Sequence, residues 1–224
     1  MKSFVKTIRV GSRSSPLSRA QVQEVLGSLQ THHPEVRFDP IWIETCGDLD
    51  QTTSLRSLEK TDFFTREIEE RQLNGEFDVS IHSAKDLPDQ LRAGLKVVAL
   101  TKGLNPADVL VMREGDSIES LPAHARIGTS SERREVNLLA LRSDLKCVEI
   151  RGPIHKRLGL LEEKNVDGVV MAEAALIRLQ LTHLNRIVLS GECARYQGQL
   201  AVVARVDDAE SARLFACLDT RERV

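Results

Sequence analysis

The sequence predicts an α/β protein of two similar domains, on three observations. Short β-branched runs alternate with amphipathic stretches along the whole chain, the pattern of strands feeding helices. The segment Arg9-Val10-Gly11-Ser12-Arg13-Ser14-Ser15 is echoed about half a chain later by Arg126-Ile127-Gly128-Thr129-Ser130-Ser131. Turns near residues 103–106 and 193–197 suit two crossings of the chain, which puts 1–102 with 198–224 in one domain and 103–197 in the other. The echo has a bland reading, that any strand-to-helix turn favours Gly and Ser. Its sharper reading is a pair of related domains, each aiming a helix N-terminus at a common cleft.

The elements follow in order. Residues 8–11 read as a strand. Ser15 then caps a helix with Pro16 in the first-turn position proline tolerates, and Val22, Val25, Leu26 and Leu29 mark its buried face. Residues 36–43 form a strand, 63–73 a helix, and 77–81, 95–100 and 109–112 three more strands. In the second half, 126–128 is a strand, and a helix from Ser131 carries Val136, Leu139 and Leu141 among its apolar residues. Residues 147–150 are a strand, and Pro153 opens a helix with Ile154, Leu158 and Leu161 on one face. Residues 168–171 form a strand leading directly into a helix over 172–179. A strand over 200–206 and a helix over 209–218 close the chain.

Composition narrows the function classes. Thirty-one basic residues balance 33 acidic ones, for a formal charge of −2, which argues against nucleic acid or an anionic membrane as a bulk electrostatic partner. Aromatics at 4% weaken a stacking platform for single strands. No run approaches the roughly 18 apolar residues of a membrane span, and residues 1–7 lack the apolar core of a signal peptide. Cys46, Cys147, Cys193 and Cys217 lie far apart without a Cys-x-x-Cys pair, so they are expected as thiols of a cytoplasmic protein, not as a metal or redox site.

Chemistry concentrates where strands end. A helix N-terminus offers unpaired N–H groups and partial positive charge. Gly128-Thr129-Ser130-Ser131 adds hydroxyls there, and Arg133-Arg134 adds cations that the helix dipole disfavours. Either that pair is simply solvated, or an anion site offsets the repulsion. Arg13, Arg151, Arg157 and Arg178 also fall at or just beyond strand ends, where open α/β sheets bind ligands. Each alone suits a surface salt bridge. Together they suit a ligand rich in carboxylates, which the planar guanidinium fork grips with two hydrogen bonds, and phosphate fits the charge equally well. Lys85-Asp86 follows the strand at 77–81 and could pair an anion-binding cation with a proton-transfer carboxylate, or be an exposed turn pair.

Ile81-His82-Ser83-Ala84-Lys85-Asp86-Leu87-Pro88 closely resembles the substrate-loop signature of the porphobilinogen deaminases, also called hydroxymethylbilane synthases. The resemblance runs from Ile8 to about Asp208. It takes in Arg13-x-Ser15-Pro16-Leu17, Thr45-x-Gly47-Asp48, Asn105-Pro106-Ala107-Asp108 and Gly128-Thr129-Ser130-Ser131-x-Arg133-Arg134. It continues through Arg151-Gly152-x4-Arg157-Leu158, Ala172-x-Ala174-x-Leu176-x-Arg178-Leu179 and Gln197-Gly198. The resemblance implies a transferase of tetrapyrrole and haem biosynthesis, with two domains of type II periplasmic-binding-protein-like topology. It implies condensation of four porphobilinogen molecules on a dipyrromethane cofactor. It makes Asp86 the catalytic carboxylate. Arg13, Ser15, Arg151, Arg157 and Arg178 become substrate-binding, and Lys85, Thr129, Ser130, Ser131, Arg133 and Arg134 cofactor-binding.

Three departures accompany the resemblance. The third domain, whose Gly-Gly-Cys loop anchors the cofactor in the family, is expected to be absent from a chain ending at Val224, leaving Cys46 and Cys193 as the candidate substitutes. Glu59-Lys60-Thr61-Asp62 stands where a glycine-lysine-glycine stretch is usual before Phe63-Phe64, and Arg151-Gly152-Pro153 replaces Arg-Gly-Asn. These changes allow a second expectation, a catalytically impaired module that binds a polycarboxylate or porphyrin precursor.

Overall fold

The structure, a computed structural model, describes residues 7–50, 53–54, 56 and 61–221. The chain divides into two compact units, Met1–Leu49 with Lys60–Leu104 and Gln199–Val224, and Asp50–Glu59 with Asn105–Gly198. In chain order the strands are β1 (Thr7–Arg13), β2 (Arg37–Ile43), β3 (Val79–Ser83), β4 (Leu95–Leu100), β5 (Asp108–Met112), β6 (Arg126–Gly128), β7 (Lys146–Val148), β8 (Gly168–Ala172), β9 (Arg186–Val188) and β10 (Leu200–Arg205). The helices are α1 (Pro16–His32), α2 (Cys46–Leu49), α3 (Arg66–Leu73), α4 (Glu132–Leu141), α5 (Ile154–Glu162), α6 (Glu173–Arg178) and α7 (Ala209–Phe215).

Each unit holds one five-stranded sheet, and the two sheets share a plan. The first runs β2-β1-β3-β10-β4 and the second β7-β6-β8-β5-β9. In both, the first three strands are parallel and the last two pair antiparallel. The echoed segments therefore occupy the same place, since β1 and β6 are each the second strand of a sheet and lead into α1 and α4. The echo is that of two similar domains. Its glycines are set by packing: a Cβ on Gly11 would stand 2.4 Å from the Phe77 ring, and one on Gly128 would stand 2.7 Å from Ile150.

In the first unit, α1 begins as its sequence requires. Ser15 sits at the N-cap in extended conformation and its side chain accepts from the Ser18 N–H, with Pro16 in the first turn. Val22, Val25 and Leu29 bury against Ile8, Val10, Val79 and Ile81 of the sheet, each worth roughly 1.5–3 kcal/mol of transfer free energy. In the second unit, alternation along β5 sends Leu110 and Met112 to one face and Val109 and Val111 to the other. Both faces are covered, so β5 and β8 read as continuous apolar runs.

Several elements differ from the sequence expectation. α3 starts at Arg66, because Phe63 and Phe64 form a turn whose rings meet edge to face at 5.1 Å. The strand expected at 77–81 is β3, extended to Ser83 and followed by a 3-10 turn over Ala84–Asp86. The closing helix tightens after Phe215 into a 3-10 turn over Ala216–Leu218. In α4 the buried apolar residue is Leu138, while Val136 and Leu141 are exposed. The inward face of that helix is set by position one turn after Arg134 and not by its count of apolar residues. β9 was not expected. Its three residues are too short a run to signal alternation, and they pair on the edge of β5. Among the described residues, no helix is long and apolar enough to cross a membrane.

Candidate functional site

In the first unit, chemistry gathers at the carboxyl ends of β1 and β3. The Ser12 hydroxyl donates to the Ile81 carbonyl at 2.9 Å and joins the two strands, and the Gln21 amide of α1 donates to the Ser83 hydroxyl at 2.8 Å. Arg13, the last residue of β1, donates through Nε to both Asp48 oxygens at 3.1 and 3.2 Å, and its Nη2 closes the pair. Asp48 also accepts from the Thr45 N–H at 3.1 Å and the Thr45 hydroxyl at 2.9 Å. Burial opposes ionisation of Asp48, but the Arg13 hydrogen bonds and charge together with Thr45 outweigh it and hold the carboxyl below its usual range. The Arg13 guanidinium lies 4.5 Å from the centre of the Phe64 ring.

A small cavity of about 20 Å³ opens here, with Arg13, Gln21, Phe64, His82, Ser83 and Asp86 in its wall. Asp86 is exposed at the end of the 3-10 turn. That turn is tied down by the Ala84 N–H, which donates to the Gln199 carbonyl at 3.0 Å. Lys85, beside it, is half-buried. His82 is buried, and its ring is pushed down to about 4, first by burial and then by the nearby Arg13 charge.

The second unit arranges its charges differently. Asp108 is buried and receives Arg134, through Nε at 2.9 Å and Nη2 at 2.7 Å, as well as Arg133 Nη2 at 2.7 Å. Arg133 is an ion-pair partner, and the Gln197 amide adds a hydrogen bond to Oδ1 beside that of Arg134, at 3.0 Å. Burial pushes the Asp108 carboxyl up, and the two arginines more than reverse it, so the group stays ionised below its usual range. The adjacent arginines at a helix N-terminus thus have their reason, a buried counter-ion. Two guanidiniums on one carboxylate leave this cluster with one net positive charge.

Ser131 is the N-cap of α4, and its side chain makes no capping hydrogen bond. Thr129 is buried, with its hydroxyl accepting from the Ser131 N–H at 3.3 Å. The Ser130 hydroxyl donates to the Ile150 carbonyl and accepts from the Ile150 N–H at 3.1 Å, so it pins the turn to the segment leading to Arg151. Arg151, Arg157 and Arg178 each donate to a backbone carbonyl, those of Asp50 (2.6 Å), Gly152 (2.7 Å) and Gly198 (2.9 Å). A carbonyl aims the guanidinium and adds no formal negative charge. Gly152 has φ +95°, a conformation that favours glycine, and Pro153 follows as the N-cap of α5.

The first unit brings Arg13 and Asp86 to one cavity, with Lys85 next to Asp86 in the 3-10 turn and Ser15 at the N-cap of α1, neither of them in the cavity wall. The second brings together Thr129, Ser130, Ser131, Arg133 and Arg134, with Arg151, Arg157 and Arg178 at neighbouring strand and helix ends. Of the altered loop, Glu59 and Lys60 lie outside the described residues, as do residues 1–6 at the start of the chain, and Asp62 pairs with Arg66, the first residue of α3, at 2.9 Å. The four cysteines form no disulfide, and Cys46 stands exposed at the start of α2. Sequence reasoning missed Asp48, Asp108, Gln197, Gln21 and His82. All except Gln21 stand inside the quoted motifs, and that was the available signal.

Two mixed sheets of matching order define a type II periplasmic-binding-like fold. The regulatory domain of OxyR2 from Vibrio vulnificus in a sulfate-bound form shares it at a TM-score of 0.54 and 12% identity, with 97% of this chain and 99% of that one covered. CbnR, a LysR-family transcriptional regulator, shares it at 0.57 and 12%, covering 94% and 68%. At such identities the likeness is one of fold alone. Residues 8–213 match the family described as "Porphobilinogen deaminase, dipyromethane cofactor binding domain". A probable porphobilinogen deaminase of Chlamydia muridarum is 39% identical over 217 residues, covering 97% of this chain and 89% of its own. A porphobilinogen deaminase of Caldicellulosiruptor saccharolyticus is 42% identical over 200 residues, covering 88% and 68%. The chain belongs to the porphobilinogen deaminase family.

The matched domain is one that binds dipyrromethane, a compound bearing four carboxylates, and the donor set fits it. The second unit offers net positive charge at Arg133 and Arg134, and an α4 N-terminus whose N–H groups its own cap side chain does not take up.

Proposed function

We propose that the protein catalyses the head-to-tail condensation of four porphobilinogen molecules into hydroxymethylbilane, releasing one ammonia per condensation and taking up one water, the source of the product's hydroxyl, when the finished chain is released. The observation that carries this reading is Asp86, an exposed carboxylate held on a tied 3-10 turn at the end of β3, in one cavity with an Arg13 whose charge Asp48 already balances. A carboxylate neighbouring an unbalanced arginine would be locked in an ion pair. This one is left to respond to a substrate.

In each condensation the aminomethyl C–N bond breaks, ammonia departs, and positive charge develops on the substrate's pyrrole system. The α-carbon of a second pyrrole attacks the methylene carbon, and that α-carbon then loses its proton. Asp86 accepts the pyrrole N–H hydrogen bond, stabilises the developing charge and assists the proton's removal. Ser15, Arg151, Arg157 and Arg178 hold the acetate and propionate arms, the planar forks fixing orientation as well as charge. Arg13, its charge matched by Asp48, gives the substrate a hydrogen bond from the guanidinium nitrogen that Asp48 does not engage. Dipyrromethane, when bound, supplies the starting pyrrole pair. Arg133, Arg134, Lys85 and Ser131 hold its carboxylates, while Thr129 and Ser130 shape the turn beneath them.

The test is incubation of the purified protein with porphobilinogen, with ammonia measured directly and porphyrin absorbance read after oxidation. Intact mass of the fresh protein reports covalently held dipyrromethane. Ammonia and porphyrin in proportion support the reading. Porphobilinogen bound without ammonia release would make the chain a binding module instead.

A further inference from the structure

His82 is used by no step above, yet its surroundings fix its chemistry. The Gln72 side-chain amide donates to the carbonyls of Asp78 at 3.1 Å and Val203 at 2.9 Å, so its NH₂ and oxygen cannot be exchanged without setting oxygen against two carbonyls. The Gln72 oxygen must then accept, and the Ser80 hydroxyl donates to it at 2.8 Å. With its one proton committed, Ser80 can only accept from His82 Nε2, 2.9 Å away. The ring is therefore the Nε2–H tautomer with a bare lone pair on Nδ1, and Nδ1 has no hydrogen-bond partner among the described residues.

His82 is buried, with 6% of the residue exposed, and it lines the same cavity as Asp86. Burial and the Arg13 charge keep it neutral, so Nδ1 stays an acceptor throughout the physiological range. An acceptor that meets no protein donor at the wall of the cavity is left to water or to a ligand, and a ligand that brings an N–H in the right place can take it from water. The cavity, at about 20 Å³, has room for a group of about the size of one water.

We propose that His82 is a substrate-binding residue whose Nδ1 accepts a hydrogen bond from an N–H group of the porphobilinogen held at Asp86. The relay Gln72–Ser80–His82 acts as the positioning device that locks the tautomer. The inference rests on the porphobilinogen reading above and names one contact within it. The donor is the pyrrole N–H or the aminomethyl nitrogen, and one experiment separates them.

Histidine-ring ¹⁵N spectra of the full chain are recorded alone, with porphobilinogen, and with the same pyrrole lacking the aminomethyl group. Movement of the His82 Nδ1 resonance with both ligands, Nε2–H staying in place, assigns the pyrrole N–H. Movement with porphobilinogen alone assigns the aminomethyl nitrogen. No movement with either overturns the proposal. Two variants give an independent reading, since the Asn oxygen falls near the Nδ1 position and the Gln amide reaches the Nε2 position. His82→Gln is expected to weaken porphobilinogen binding by about tenfold or more, and His82→Asn by less than about threefold. Equal affinities in the two variants, with wild-type melting behaviour, would also overturn it. A moving Nδ1 without ammonia release would sink the catalytic reading and keep this contact. Ammonia release with a stationary Nδ1 would do the reverse.

Discussion

Two strand-to-helix turns that start from nearly the same residues finish in opposite electrostatic states. In the first unit, Ser15 closes the first turn of α1 with its own side chain, and Arg13 meets Asp48 one to one. In the second, Ser131 makes no capping bond, and Arg133 and Arg134 share the single carboxylate of Asp108. The first end is self-satisfied and near neutral, which suits a carboxylate and a neutral imidazole that handle N–H groups. The second keeps positive charge and open N–H groups, which suits anionic side arms. The turn's own sequence does not decide between these states. Counter-ions supplied from elsewhere do, Asp48 from 35 residues away and Asp108 from 26.

Removing those counter-ions should break the contrast unequally. Asp108→Ala leaves two arginines, Arg134 nearly buried, without their partner, and is expected to cost roughly 3–5 kcal/mol in denaturant unfolding. Asp48→Ala strips a more accessible pair and should cost about 2 kcal/mol. A ranking in the other order would show that the second cluster is not the more deeply committed one.

The pH dependence sharpens the same comparison. Asp48 and Asp108 both have native carboxyls held below their usual range, so the unfolded chain binds more protons as the pH falls through that range. Their stabilisation is complete above the ordinary carboxylate value and drains away below it. His82 acts in a higher window. Its ring is held near 4 in the native state against 6.5 for the unperturbed group, so between those values only the unfolded chain takes the proton and stability falls as pH falls. His82→Gln should flatten unfolding free energy between about pH 6.5 and 4 while leaving the more acidic limb.

The smallest effect tests the caps. Ser15→Ala should cost about 1 kcal/mol, whereas Ser131→Ala, which loses no capping bond, should change stability by only a few tenths. Equal losses measured by thermal unfolding would erase the distinction between the closed and the open helix end.

Much of the fold was legible in the sequence. The echo, the Ser15 cap with Pro16, and the stripe from Val22 to Leu29 all depend on local periodicity, and each appears as expected. What stayed hidden depends on tertiary placement. Asp48 and Asp108 sat within recognisable motifs, but which arginine each would hold was set by sheet order. The inward face of α4 was not legible from its apolar residues, because Arg134 turns inward with Leu138, spending a core-facing position on a charge that Asp108 explains. His82 looked like part of a signature. Its tautomer follows from Gln72, which reaches Ser80 from α3 and ties to β10 through Val203.

The central claim is that Asp86 performs chemistry and does not merely hold ligand. Asp86→Asn keeps the shape of an exposed side chain and removes its charge, so ammonia release from porphobilinogen, measured beside porphobilinogen binding in the same preparation, isolates that claim. The account predicts a fall in ammonia release of roughly 100-fold or more with binding retained within about threefold. Ammonia release equal to that of the wild type would contradict it.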